Sequence, residues 1–214
     1  MMDTRYIPAK YIARFLAWNC ASDMLERKLF PNIKEIAESM SMFYAVENLL
    51  MSWDNDIKEN RGNDNIHIVV VGDGHQPRTA ATFAYQTKWN CISIDPLMKS
   101  AEHNIQRLKC YQCNVEDVPN MDFGDDVVII IYPHSHAPVR VGWDKFESTR
   151  KWLIKMECCT KDKLNLPYYA YRDKNAITEA NQIFIWCNYM NLGFLPDERL
   201  TLEEEMKKLE ILTK

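Results

Sequence analysis

The sequence predicts an α/β fold in which helices cover both faces of a mostly parallel sheet, preceded by an N-terminal helical segment. Three observations predict it. From Ile66 onward, short apolar runs alternate with helical stretches, the pattern of parallel strands buried on both faces. The first of these runs, Ile66 to Val71, stops at Gly72-Asp73-Gly74, and Pro77 then suits the first turn of a helix. Residues 1 to about 60 lack the alternation and carry an apolar stripe at helical spacing. With 214 residues there is enough chain for one sizeable core and barely enough for two. The expected organisation is a helical segment, 1–60, packed on an α/β domain, 61–214.

Tyr11, Phe15, Trp18, Leu25 and Leu29 suggest one or two short helices, with a boundary near Ser22 and Asp23. Asn32 followed by Glu35 resembles a capping box, after which Ile33, Ile36, Ala37, Met40, Phe43, Val46, Leu50 and Trp53 form one helical stripe. Such a stripe is usually a core-facing surface, and Trp18, Tyr44 and Trp53 are more often core than a cover over a cleft. The polar stretch Asp54 to Asn65, with Gly62, reads as a linker. Strands are expected near 66–71, 91–94, 110–113, 127–132, 167–171 and 183–187, with helices near 77–87, 97–108 and 143–159. The run Val127 to Ile131 is continuously β-branched, as a central strand should be. The last two strands would pair antiparallel at one edge. Thr201 and Glu204 offer a second capping box, ahead of a terminal helix.

Composition narrows the function classes. Lys+Arg 26 against Asp+Glu 30 gives a net charge of -4, which argues against an all-over electrostatic grip on nucleic acid but leaves room for a local patch. The basic residues Arg140, Lys145, Arg150, Lys151 and Lys155 are interrupted by Asp144 and Glu147, so they read as a solvated helix face. Seven cysteines without disulfide-scaffold spacing point to reduced thiols and a cytoplasmic setting. Cys110 and Cys113 form one C-x-x-C with no second pair, so buried strand cysteines are expected and no metal site. No apolar stretch approaches the roughly 18 residues that span a bilayer, so a soluble protein without a membrane partner is expected.

In an open parallel sheet, ligands bind outside the carboxyl ends of the strands. The residues just past each expected strand are therefore the candidates. After the first come Gly72, Asp73, Gly74 and His75; after the second, Asp95; after the third, Glu116 and Asp117; after the fourth, Tyr132, Pro133, His134, Ser135 and His136. Two glycines let the backbone turn sharply and approach a ligand, and the spacing of roughly twenty residues to Asp95 is that of an acid that accepts ribose hydroxyls. With these residues in this order the chain resembles the Rossmann-like class I S-adenosylmethionine-dependent methyltransferases over roughly residues 66 to 190. The resemblance implies S-adenosylmethionine as cofactor, with Gly72 and Gly74 beside its methionine portion, Asp95 on the ribose and Asp117 near the adenine amine. Asp73 and His75 of the same turn complete the expected cofactor-binding set. The chain departs from the family pattern at Val70, where an acid is usual, at Gln76, where a third glycine is usual, and in showing six strands rather than seven.

The loop from Tyr132 to Pro138 is the expected centre of substrate chemistry. His75, His134 and His136 are three of the five histidines, and histidine titrates near neutral pH, so His134 or His136 could take a proton from a hydroxyl or amine. Tyr132 completes the expected catalytic set. A metal held by the three histidines matches no strong spacing motif. Arg78, at the start of the expected helix, could meet a carboxylate or phosphate or form a surface salt bridge. The expected function is methyl transfer to an unidentified acceptor, RNA or a small molecule. Its alternative is a catalytically inactive Rossmann-like protein that serves as a binding or assembly partner.

Overall fold

The computed structural model describes residues 9–59, 62–159, 164, 167, 169–178 and 180–189. Its centre is a seven-stranded sheet. In chain order the strands are β1 (Ile66–Val71), β2 (Asn90–Ile94), β3 (Leu108–Tyr111), β4 (Val127–Tyr132), β5 (Arg150–Met156), β6 (Tyr169–Arg172) and β7 (Gln182–Cys187). They lie in the order β3-β2-β1-β4-β5-β7-β6. The first five run parallel, β7 is inserted antiparallel between β5 and β6, and β6 forms the edge. This is the expected Rossmann-like architecture, with one more strand than the sequence reveals. The expected edge pair is present as β6 and β7, while the expected terminal helix at Thr201 lies outside the described residues.

The pleat sends alternate side chains to opposite faces. Ile66, Ile68 and Val70 of β1, Val127, Ile129 and Ile131 of β4, Trp152, Ile154 and Met156 of β5, and Ile183 and Ile185 of β7 share one core. Val69, Val71, Val128, Ile130, Leu153, Phe184 and Trp186 build the other. The first core is completed by the N-terminal helices α1 (Ala9–Leu16), α2 (Ala21–Glu26) and α3 (Ile33–Tyr44), which continues through a π-helical segment, Ala45–Leu50, to Trp53. Asn32 caps α3 by accepting the Glu35 amide at 3.1 Å. Of the expected stripe only Ile33 stays exposed. Tyr44 is a core residue, and half-buried Trp18 and Trp53 pack against the core: Trp18 meets Phe43 edge-on, Tyr44 stacks on Tyr11, and Trp53 packs against Trp152 and Tyr169.

Polar ties hold the helices to the sheet's far edge. Buried Asp173, just past β6, accepts from Tyr11 Oη at 2.6 Å and from Ser41 Oγ at 2.5 Å. At the end of the α3 assembly, Asp54 accepts from Arg150 of β5 at 3.2 Å and from Tyr189 Oη. The expected linker after it contains a short helix, α4 (Asn55–Glu59), started by an amide contact from Ile57 to Asp54.

Three expectations are corrected. No helix spans 97–108; that connection is irregular, with Asn104 and Arg107 at positive φ, and Arg107 donates to the carbonyls of Ala84 and Thr87 at 3.1 Å each. The expected helix at 143–159 is instead a short helix, α6 (Val139–Lys145), followed by β5. Its lysines are not a solvated face: Lys151 and Lys155 are buried, and Lys151 Nζ donates to the Trp143 carbonyl at 2.7 Å while its ammonium lies over the Trp143 ring. Finally, β3 starts two residues earlier than expected, which leaves Cys113 beyond the strand. Among the described residues no helix is long and apolar enough to cross a membrane.

Candidate functional site

A cleft of about 440 Å³ opens at the carboxyl ends of β1 to β4, within the range of small-ligand sites. Val71 and Gly72 line it from the end of β1. Asp95, Pro96 and Leu97 follow from β2; Cys113, Asn114, Val115 and Glu116 from β3; and His134 to Pro138 from β4. The strand-end argument thus brings Gly72, Asp95, His134 and His136 to one cavity.

Asp95 is fixed before any ligand arrives. Its Oδ2 accepts the Gly74 amide and its Oδ1 accepts the Leu97 amide, both at 2.7 Å. The side chain is buried except toward the cleft it lines. A carboxylate offers about four acceptor positions, so two amides leave capacity for further donors.

The glycine turn behaves differently. Gly72 and Gly74 have φ of 78° and 85°, a conformation that suits glycine. The close approaches they permit are made by the protein itself. A methyl group on Gly72 would overlap Ser135 Oγ, and one on Gly74 would overlap the Arg78 guanidinium. Arg78 is held there by Glu35 of α3 at 2.6 Å, so its expected anionic partner is the chain's own carboxylate. Asp73 turns away from the cleft and is fully buried: it accepts the amides of Thr79 at 2.8 Å and Ala80 at 3.0 Å and the hydroxyl of Ser93 at 2.9 Å. It therefore caps α5 (Arg78–Gln86), and burial still pushes its carboxyl upward against the pull of Arg78 and these donors.

Other expected site residues also move out of reach. His75 is exposed on the turn and does not line the cleft, although its carbonyl accepts the Lys99 amide at 3.0 Å. Tyr132 is buried in the second core, where Gly142 of α6 makes room for its hydroxyl, which donates to the Pro138 carbonyl at 3.2 Å. Asp117 sits at the end of a one-turn helix, Val115–Asp117, and meets Asn114 Nδ2 at 3.4 Å; its neighbour Glu116 lines the cleft. The alternation of β3 gives no sign of which acid faces inward, because the expected strand was two residues late.

The β4 loop supplies the remaining wall. His134 has φ of 58°, a conformation that a non-glycine residue adopts at a cost. Burial, with Lys34 adding repulsion, holds its imidazole below the ordinary histidine value, against a hydrogen bond to the backbone of Glu157. Ser135 Oγ accepts the Ala137 amide at 3.1 Å, which closes the turn against Gly72. Above the glycine turn, Glu38 of α3 is pushed up to about 7 by burial and by Glu35, while Lys34 lies 3.4 Å from its carboxylate.

No protein-family model and no curated protein matches the chain. Among solved structures it is similar to a mutant of MtNAS, a nicotianamine synthase, with 12% identity and a TM-score of 0.38, covering 85% of this chain and 69% of that one. The same mutant in complex with S-adenosylmethionine gives 14% identity and a TM-score of 0.35, covering 85% of this chain and 71% of that one.

Proposed function

We propose that the cleft binds S-adenosylmethionine and that the chain is a methyltransferase-like enzyme acting on an RNA or small-molecule acceptor. Asp95 carries this reading. It ends β2, faces the cleft, is oriented by two backbone amides and retains acceptor capacity, which fits the paired hydroxyls of a ribose. The seven-stranded order of the sheet also supports it, since the resemblance calls for seven strands. Asn114 and Glu116 offer polar groups on the β3 side, where the adenine would lie, with Glu116 taking the part first expected of Asp117. The bound cofactor would supply an electrophilic methyl group on a sulfonium sulfur. Gly72 would border its amino-acid end, and His134, on the β4 wall, would accept the proton of a hydroxyl or amine acceptor.

A second reading has its own support. Ser135 against Gly72 and the Arg78–Glu35 pair over Gly74 fill the turn from inside, as in a Rossmann-like protein that no longer catalyses and serves as a binding partner. Calorimetric titration separates the two. S-adenosylmethionine and S-adenosylhomocysteine should both give heat, and Asp95→Ala should weaken binding about 5- to 150-fold, the equivalent of about 1–3 kcal/mol for a lost buried acceptor. No heat from either ligand, in a sample folded by circular dichroism, would leave the second reading. His134→Gln should spare the affinity and slow turnover.

A further inference from the structure

We propose that His136, Cys158 and Cys159 form a zinc site at the rim of the cleft. The residues come from two neighbouring strand ends. β4 and β5 pair in parallel, with Tyr132 opposite Lys155, so the loop after β4 and the first residues after β5 emerge side by side. His136 Nε2 lies 3.1 Å from Cys159 Sγ, and the two sulfurs are 3.7 Å apart. All three donor atoms fall within 4.8 Å of one another.

Those separations suit one tetrahedral ion. Zinc bonds of about 2.3 Å to sulfur and about 2.0 Å to nitrogen, at a tetrahedral angle, require about 3.8 Å between sulfurs and about 3.5 Å between nitrogen and sulfur. The sulfur pair already has this spacing, and the imidazole would need to withdraw by about half an ångström. Two thiolates and an imidazole are soft to borderline donors, which favours zinc over magnesium or calcium. Two thiolates also neutralise a divalent cation. Accessibility fits: Cys158 is buried, whereas Cys159 and His136 are exposed, so an ion could enter and leave one coordination position for water. His136 also lines the cleft, which sets the ion at its rim. The sequence pattern concealed this site because the cysteines lie within an expected helix and are adjacent rather than spaced as a zinc motif.

Titration of the reduced, metal-free full chain with cobalt(II), followed by zinc, tests the proposal without reference to activity. Expected are one equivalent of cobalt, the visible bands of a tetrahedral ion, an ultraviolet thiolate charge-transfer band, and bleaching on adding zinc. Cys159→Ser and His136→Ala, both at exposed positions, should weaken zinc binding at least tenfold while circular dichroism stays unchanged. Cys113→Ser, at a cysteine that lines the cleft but stands outside the three-residue cluster, should leave it unchanged. Absence of the charge-transfer band in the parent chain, or an undiminished band with undiminished affinity in Cys159→Ser, would overturn the site, as would a comparable loss in Cys113→Ser. Should Cys158→Ser fail to fold, the two exposed variants still decide the matter.

Discussion

The turn after β1 and the loop after β2 lie side by side at one end of the sheet, and each holds an acid. They use it in opposite ways. Asp73 is sealed under α5, with three donors from the chain itself, while Asp95 is held by two amides and still faces the cleft. The glycines next to Asp73 are needed for close approaches by Ser135 and Arg78, so one half of a nucleotide-binding signature has been satisfied internally. The other half is available to a ligand. A glycine-rich turn and an acid at the right distance are therefore separable signals, and here the acid after β2 is the one with unspent hydrogen-bonding capacity.

Substitutions can break this contrast, beginning with the turn. Gly72→Ala places a side chain at positive φ and against Ser135, and should cost about 3–5 kcal/mol in urea unfolding. Adding Ser135→Gly should return only the overlap part; full recovery would mean that the backbone conformation is not strained. Asp73→Ala leaves the first amides of α5 uncapped and should cost about 2–3 kcal/mol, while a loss of ligand affinity at unchanged stability would contradict its structural placement.

The helix over the turn gives smaller effects. Glu38 is pushed from the ordinary 4.5 up to about 7, so between those values the folded chain keeps a proton that the unfolded chain releases. Its stabilising contribution is whole below about pH 4.5 and is lost as pH rises through about 7. Glu38→Gln should thus change stability little near the lower pH and raise it at pH 8 by on the order of 2 kcal/mol. Equal effects at both pH values would remove the buried-carboxyl account. Glu35→Gln weakens a partly exposed pair with Arg78 and should cost about 1 kcal/mol or less. A larger loss in thermal unfolding would mean that this pair fastens α3 over the turn.

Much of the fold was legible because its central strands are apolar on both faces. β1, β2 and β4 read directly, and so did α5 and the Asn32 cap. β5 did not, since Arg150, Lys151 and Lys155 break its apolar run and suggest a charged helix. Burial resolves the conflict: the lysine stems are packed and the Lys151 ammonium finds a carbonyl, while Trp152, Ile154 and Met156 keep the alternation on the other face. At the site, strand-end logic brought Gly72, Asp95, His134 and His136 together. It could not tell a ligand-facing acid from a helix cap, because Asp73 finds its partners six and seven residues ahead and on a neighbouring strand. Nor could it foresee Cys158 and Cys159 beside His136, a contact that depends on the pairing of β4 with β5.

We propose Asp95 as the chain's open acceptor for a ribose. This role is tested most directly by calorimetry with S-adenosylhomocysteine and its 2′-deoxy analogue, on the parent chain and on Asp95→Asn. Removing the hydroxyl should weaken binding to the parent by roughly tenfold, near 1.4 kcal/mol, and most of this difference should disappear in the variant. An equal penalty in both proteins, or no binding to the folded parent chain, would contradict it.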